Sequence, residues 1–218
     1  MGFGRFAKNL DGTGRSDGQT DLVLEAFAVA QPIVSRGSSP EMSARATRLI
    51  RRAKKLAIAR EHGKAVKLYL RSLTIMRGVS PVTLESNQHL ASILSQLSAS
   101  LCEVGRMEEA LAAGHEATAL FSGLAAKGDL ESRKLLAANL YRFAMMAAAA
   151  GEHEESAKAA LEAARYIREC VAEGLLNATL LISPLNLAAN SLQGLGRVEE
   201  ALSVRREVGA LHVEGQEK

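Results

Sequence analysis

Histidine and cysteine, the side chains most versatile at moving protons, attacking as nucleophiles or holding metals, are few in this chain, and their spacing argues against each of those uses. The five histidines, His62, His89, His115, His153 and His212, are dispersed, and none is paired with a second histidine or cysteine ligand at helical spacing. His153-Glu154-Glu155 opens like a zinc-protease helix, but that helix needs a second histidine four residues on, and Ala157 stands there. Cys102 and Cys170 are the two cysteines. Thiols so far apart make neither a metal knuckle nor a disulfide framework; they read as small buried hydrophobes in a reducing, cytoplasmic setting. Gly2-Phe3-Gly4-Arg5-Phe6-Ala7 has the spacing of a dinucleotide-binding turn, which functions only between a strand and a helix, and no strand precedes it. Phe6 also occupies the position where N-myristoylation calls for Ser or Thr. The expectation is a chain with no catalytic residues, no cofactor and no metal.

Charge is the stronger signal. The net charge of +3 hides a marked asymmetry. Residues 1–40 balance, residues 41–78 hold eleven Lys or Arg against Glu41 and Glu61, and residues 79–218 hold twelve basic groups against eighteen acidic ones. Within the basic stretch Arg45, Arg48, Arg52 and Lys55 fall on one helical face, opposite Leu49, Ile50, Ala53 and Leu56. The plain reading is a solvated face that steers acidic partners. Clustered cations also suit a nucleic-acid backbone, and a basic first segment beside an acidic remainder permits head-to-tail self-assembly into a homo-oligomer.

These residues need helices to position them, and the sequence supplies helices almost throughout. Residues 1–37 are rich in Gly, Ser and Asp and are expected to form a flexible tail with at most one short helix. Arg5 and Lys8 are followed by no apolar run, so no secretory signal is expected, and no uncharged apolar stretch is long enough to span a membrane. Regular structure is expected over 38–212, with a disordered tail at 213–218. Ser38-Ser39-Pro40-Glu41 is a helix start: Ser38 can cap, Pro40 suits the first turn and Glu41 completes a capping box.

An internal repeat organises the rest. Gly105-Arg106-Met107-Glu108-Glu109-Ala110-Leu111, Gly151-Glu152-His153-Glu154-Glu155-Ser156-Ala157 and Gly196-Arg197-Val198-Glu199-Glu200-Ala201-Leu202 are copies about 45 residues apart, and a weaker copy around Ala65 has its glycine displaced to Gly63. Apolar stripes at three- and four-residue spacing run up to each glycine and resume after it. Glycine ends a helix in the left-handed conformation without strain, and the paired glutamates favour the next helix's positive end. Small residues flank each turn: Ala53, Ser98, Ala144 and Ala189 before it; Ala65, Ala110, Ser156 and Ala201 after it; then Ser72, Ala117, Ala163 and Val208. Each copy is therefore expected to be a tightly packed helical hairpin.

Hairpins with small residues at these spacings and a G-x-x-x-x-A junction resemble the tetratricopeptide repeat (TPR) family, and long-period bacterial arrays are the most similar. The resemblance covers about four-fifths of the chain. It departs from the family pattern in its longer period, its missing helix-A Trp and Tyr, and the lack of a closing proline in most units. About eleven extra residues make about three helical turns, so lengthened helices can keep their inward faces in phase. The resemblance implies an all-α, right-handed α-solenoid of four antiparallel hairpins, acting as a protein-binding scaffold or adaptor. Its groove would be lined by Arg51 and Lys54, Ser95 and Gln96, Tyr141 and Arg142, and Asn186 and Asn190, where a peptide or protein partner would lie. Asn side chains can bond both donors and acceptors of a peptide backbone.

Overall fold

The structure, a computed structural model, describes residues 40–78, 84–126 and 130–216. The expected N-terminal tail and Ser38 lie outside these residues. The described chain forms α1 (Pro40–Ile58), α2 (His62–Arg77), α3 (Leu84–Glu103), α4 (Met107–Ala125), α5 (Leu130–Ala150), α6 (His153–Ala172), α7 (Ile182–Gly194) and α8 (Val198–Gln216). A 3-10 turn at Ala178–Leu181 leads into α7, opened by Asn177, whose Oδ1 accepts from the Thr179 N–H at 2.9 Å. No strand occurs among the described residues. The last helix runs on to Gln216, past the boundary expected at 212, because nothing between Leu211 and Gln216 breaks it and a lone Gly215 is tolerated in a terminal turn.

The chain divides into two compact units that meet in sequence between Asp129 and Leu130. In the first, α1 pairs with α2 and α3 with α4, and α2 touches α3 to join the hairpins. In the second, α5 pairs with α6 and α7 with α8, joined through α6 and α7. This is the all-α hairpin repeat that the glycine-punctuated sequence requires.

Every hairpin closes in the same way. The N–H of Glu61 donates to the Leu56 carbonyl at 2.8 Å, Arg106 to Leu101 at 3.0 Å, Glu152 to Ala147 at 2.9 Å and Arg197 to Leu192 at 2.9 Å. Such a six-to-one closure forces the residue before the donor into the left-handed region. Gly105, Gly151 and Gly196 take it, at φ of 79°, 84° and 74°. In the first hairpin the position belongs to Arg60, at φ 60°, and Gly63 is not the turn residue but lies inside α2. The expectation of a displaced glycine is thereby corrected: the closure is counted from the end of α1, and that count lands on residue 60 whatever its side chain.

The small residues stand where the paired helices meet. Ala53, Ala65, Ser72, Ser98, Ala110, Ala117, Ala144, Ser156, Ala163, Ala189, Ala201 and Val208 are all buried. With side chains this short one helix can reach the backbone of the other through a single hydroxyl: Ser98 Oγ donates to the Ala110 carbonyl at 2.8 Å. Between hairpins of the second unit the buried Ser156 and Ser191 hydroxyls meet at 2.8 Å. A core built from alanine contributes little area per residue, so close approach and the contacts it multiplies supply the packing that aromatic side chains would otherwise give.

The two units also repeat each other at a spacing of two hairpins. Arg77 pairs with Glu116 and Arg168 with Glu207, both at 2.7 Å or less, and each partner lies 91 positions after its counterpart. The turn pairs Arg106–Glu109 and Arg197–Glu200 show the same 91-residue spacing. Side chains on equivalent helical faces thus find equivalent partners.

Two substitutions test the closure. Arg60→Gly should raise the thermal unfolding midpoint, relieving a left-handed non-glycine residue at a gain of about 1 kcal/mol. Gly105→Ala should lower it by about as much; a Cβ there meets no atom within 4 Å, so the cost lies in the dihedral alone. Equal midpoints for wild type and both variants in calorimetry would contradict the assignment.

Candidate functional site

The first helices of neighbouring hairpins touch within each unit, α1 with α3 and α5 with α7, which brings the residues implied by the TPR resemblance onto faces of like origin. In the first unit Arg51 is exposed, and Lys54 and Gln96 are half-exposed. In the second Arg142, Asn186 and Asn190 are half-exposed. Ser95 and Tyr141 differ: each is 3% exposed, so neither presents a side chain at the surface. For Ser95 the reason is enclosure of α3 by α2, α4 and α1. Tyr141 belongs to a stretch of α5, Leu135 to Ala148, that is buried at every position except Arg142. Asn190 is engaged within its own hairpin, where its Oδ1 accepts from Arg205 Nη2 at 3.3 Å, and the same guanidinium donates to Gln193 Oε1 at 2.5 Å.

The spacing did not foretell the surroundings of the histidines. His62 and His153 are both the first residue of a second helix, 91 positions apart, and each packs on the last residue of the following hairpin's first helix. His153 lies against Gly194, where an added Cβ would come within 3.1 Å of the imidazole. At the equivalent place the first unit has Glu103, whose Oε2 is 3.9 Å from His62 Nε2, while His62 Nδ1 is buried without a hydrogen-bond partner. Beside this pair is a depression of about 400 Å³ lined by Arg60, Glu61, His62, Gly63, Lys64, Lys67, Glu103 and Val104. In the second unit Glu154 stands where Gly63 does and reaches Arg197 at 3.4 Å. Glycine opens the depression; its lining carries no serine, threonine or cysteine, and a histidine and carboxylate 3.9 Å apart are too distant for the hydrogen bond an acid–base dyad requires.

His89 is held neutral over a wider range because burial pushes its pKa down, against a weaker opposing influence from Glu85. No group of three His, Cys, Asp or Glu that could hold a metal ion occurs among the described residues. No helix there is long and apolar enough to cross a membrane.

Charge pairing separates one face from all the others. Elsewhere most cations are matched: Lys64 with Glu61, Arg77 with Glu116, Arg106 with Glu109, Lys134 with Glu131, Arg165 with Glu162 and Glu169, Arg168 with Glu207, and Arg197 with Glu154 and Glu200, while Lys158 and Arg206 stand apart as scattered exceptions. Arg45, Arg48, Arg52 and Lys55, the basic face read from the sequence, are exposed and make no ion pair among the described residues. Arg51, Lys67 and Arg71 on the same hairpin are exposed and unpaired there too. The hairpin has nine more basic than acidic groups and cannot neutralise itself, so this excess faces solvent.

Comparison with known proteins agrees with the geometry. Two crystal structures of a Podosopora anserina protein described as a kinesin light chain with nearly identical TPR-like repeats, one of them carrying a single substitution, are similar to this chain. The substituted form matches with a TM-score of 0.60 at 14% identity, covering 99% of this chain and 95% of that one. The other matches with a TM-score of 0.59 at 14% identity, covering 99% and 96%. No family model matches the sequence. No curated protein matches it either. At this identity the likeness shows the fold: an all-α, TPR-like repeat of the solenoid class, built of helical hairpins.

Both thiols are buried, and burial pushes them away from reactivity. The Cys102 thiol is pushed up to about 11 by desolvation, with Glu103 adding to the effect. Cys170 is also raised, chiefly by burial. Thiolate is the reactive form. Alkylation by iodoacetamide at about pH 8 should therefore be at least about 100-fold slower for native Cys102 than for a free thiol, and complete only in denaturant. Rapid labelling of the folded chain, followed by peptide mass spectrometry, would show the burial to be wrong.

Proposed function

We propose that this chain is a non-catalytic protein-interaction scaffold that holds a peptide or protein partner against the first helices of its hairpins. The observation that carries the reading is the TPR-like hairpin repeat itself. In a repeat array each hairpin buries one flank on its neighbour, and a row of like-placed helices is left to a ligand. Of the first-helix positions that the TPR resemblance implies, Arg51 and Gln96 in the first unit and Arg142 and Asn186 in the second are accessible. They offer charge and two amide side chains, which suit hydrogen bonding to an extended backbone. Two buried, unpaired cysteines support a reducing intracellular setting for this work.

The test is co-purification of partners with the tagged chain, compared with an Arg51→Glu, Gln96→Ala, Arg142→Ala, Asn186→Ala variant. Loss of the same specific partner, with circular dichroism and unfolding midpoint preserved, is the expected result. Undiminished recovery of that partner by the folded variant would remove the first-helix face as the binding surface.

A further inference from the structure

Between α1 and α2 the first unit carries a trough of about 320 Å³ lined by Arg45, Leu49, Arg71, Thr74 and Ile75. Each helix contributes an arginine and, four residues later, a branched apolar side chain, so basic and apolar groups from both walls face one space. Leu49 and Ile75 are half-buried, whereas Arg45 and Arg71 are exposed. Thr74 donates its hydroxyl to the Leu70 carbonyl of its own helix at 3.1 Å, which commits its polar end and leaves its methyl group as lining. Neither arginine has an ion-pair partner among the described residues.

We propose that this trough docks an acidic peptide segment of a partner protein, one apolar residue seating on Leu49 and Ile75 while flanking carboxylates meet Arg45 and Arg71. Charge complementarity identifies the occupant. Guanidinium groups present a fork matched to carboxylates, and Arg48, Arg52 and Lys55 extend the positive field along α1. The apolar floor then separates peptide from nucleic acid. A phosphate backbone contacts cations and gains nothing from covering Leu49 and Ile75, whereas an apolar side chain placed there leaves water. Stacking of single-stranded bases would need an exposed aromatic ring, and Tyr69, the hairpin's aromatic residue, is fully buried. This surface is separate from the first-helix face and can fail without it.

Fluorescence anisotropy with the full chain tests the assignment, using a labelled peptide with one leucine between aspartates and the same peptide with glycine for leucine. The leucine peptide should bind about ten-fold more tightly or better. Arg45→Glu with Arg71→Glu should weaken it by at least about ten-fold, and Arg45→Gln with Arg71→Gln should act in the same direction without added repulsion. Lys158→Glu with Arg206→Glu, exposed charges of the second unit, and the uncharged change Gln96→Ala, on the first-helix face, should each leave the affinity within about two-fold. Equal affinity for the two peptides would overturn the proposal. So would indifference to Arg45 and Arg71, or tighter binding of a DNA duplex than of the leucine peptide at physiological salt; self-association that is lost in the Arg45→Glu, Arg71→Glu variant would assign the trough to a second copy instead.

Discussion

Close approach of two helices over a pair of small side chains is the constraint on which the rest of this molecule depends. Ala53 with Ala65, Ser98 with Ala110, Ala144 with Ser156 and Ala189 with Ala201 are buried on either side of the four turns. Larger side chains there would push the backbones apart and remove contacts along both helices. The turn makes the approach possible, since a left-handed residue reverses the chain while its neighbour's N–H satisfies a carbonyl left over from the preceding helix. With no tryptophan and 4% aromatic residues, the core relies on many short contacts held at small separation.

The same regularity governs the surface. Once hairpins recur in constant register, residues a fixed number of positions apart occupy equivalent faces, and Arg77–Glu116 and Arg168–Glu207 are the same bridge made twice. Departures from the repeat then become the places where the units differ. Glu103 in place of Gly194 sets a carboxylate 3.9 Å from the imidazole where the second unit has only a glycine, and Gly63 in place of Glu154 leaves a depression instead of a bridge. The cation-rich first hairpin departs most, because it holds too few acidic residues to pair its own cations.

Much of this could be read from residue types in order. Period, glycine positions and small-residue spacing led directly to the hairpins, since backbone dihedrals and helical phase depend on local sequence. The exposure of Arg45, Arg48, Arg52 and Lys55 was legible for a related reason: four charges on one face of a helix cannot all be buried without partners. The turn at Arg60 was hidden because glycine is only the easiest occupant of a left-handed position, and an arginine can be held there by the hydrogen bonds around it. Ser95 and Tyr141 were misplaced because spacing gives the side of a helix and not how many neighbours crowd it.

The amino-acid sequence alone therefore determined the hairpin, its recurrence, its small-residue seam and its basic first segment, all of them consequences of contacts within a few turns of one helix or between two helices joined by a short link. Tertiary structure decided which cations keep a partner, which residues of the first helices stay open, and that Leu49 and Ile75 share a trough with Arg45 and Arg71. Those outcomes depend on distances between residues far apart in the chain, such as the 39 positions separating Arg77 from Glu116, and packing alone sets them.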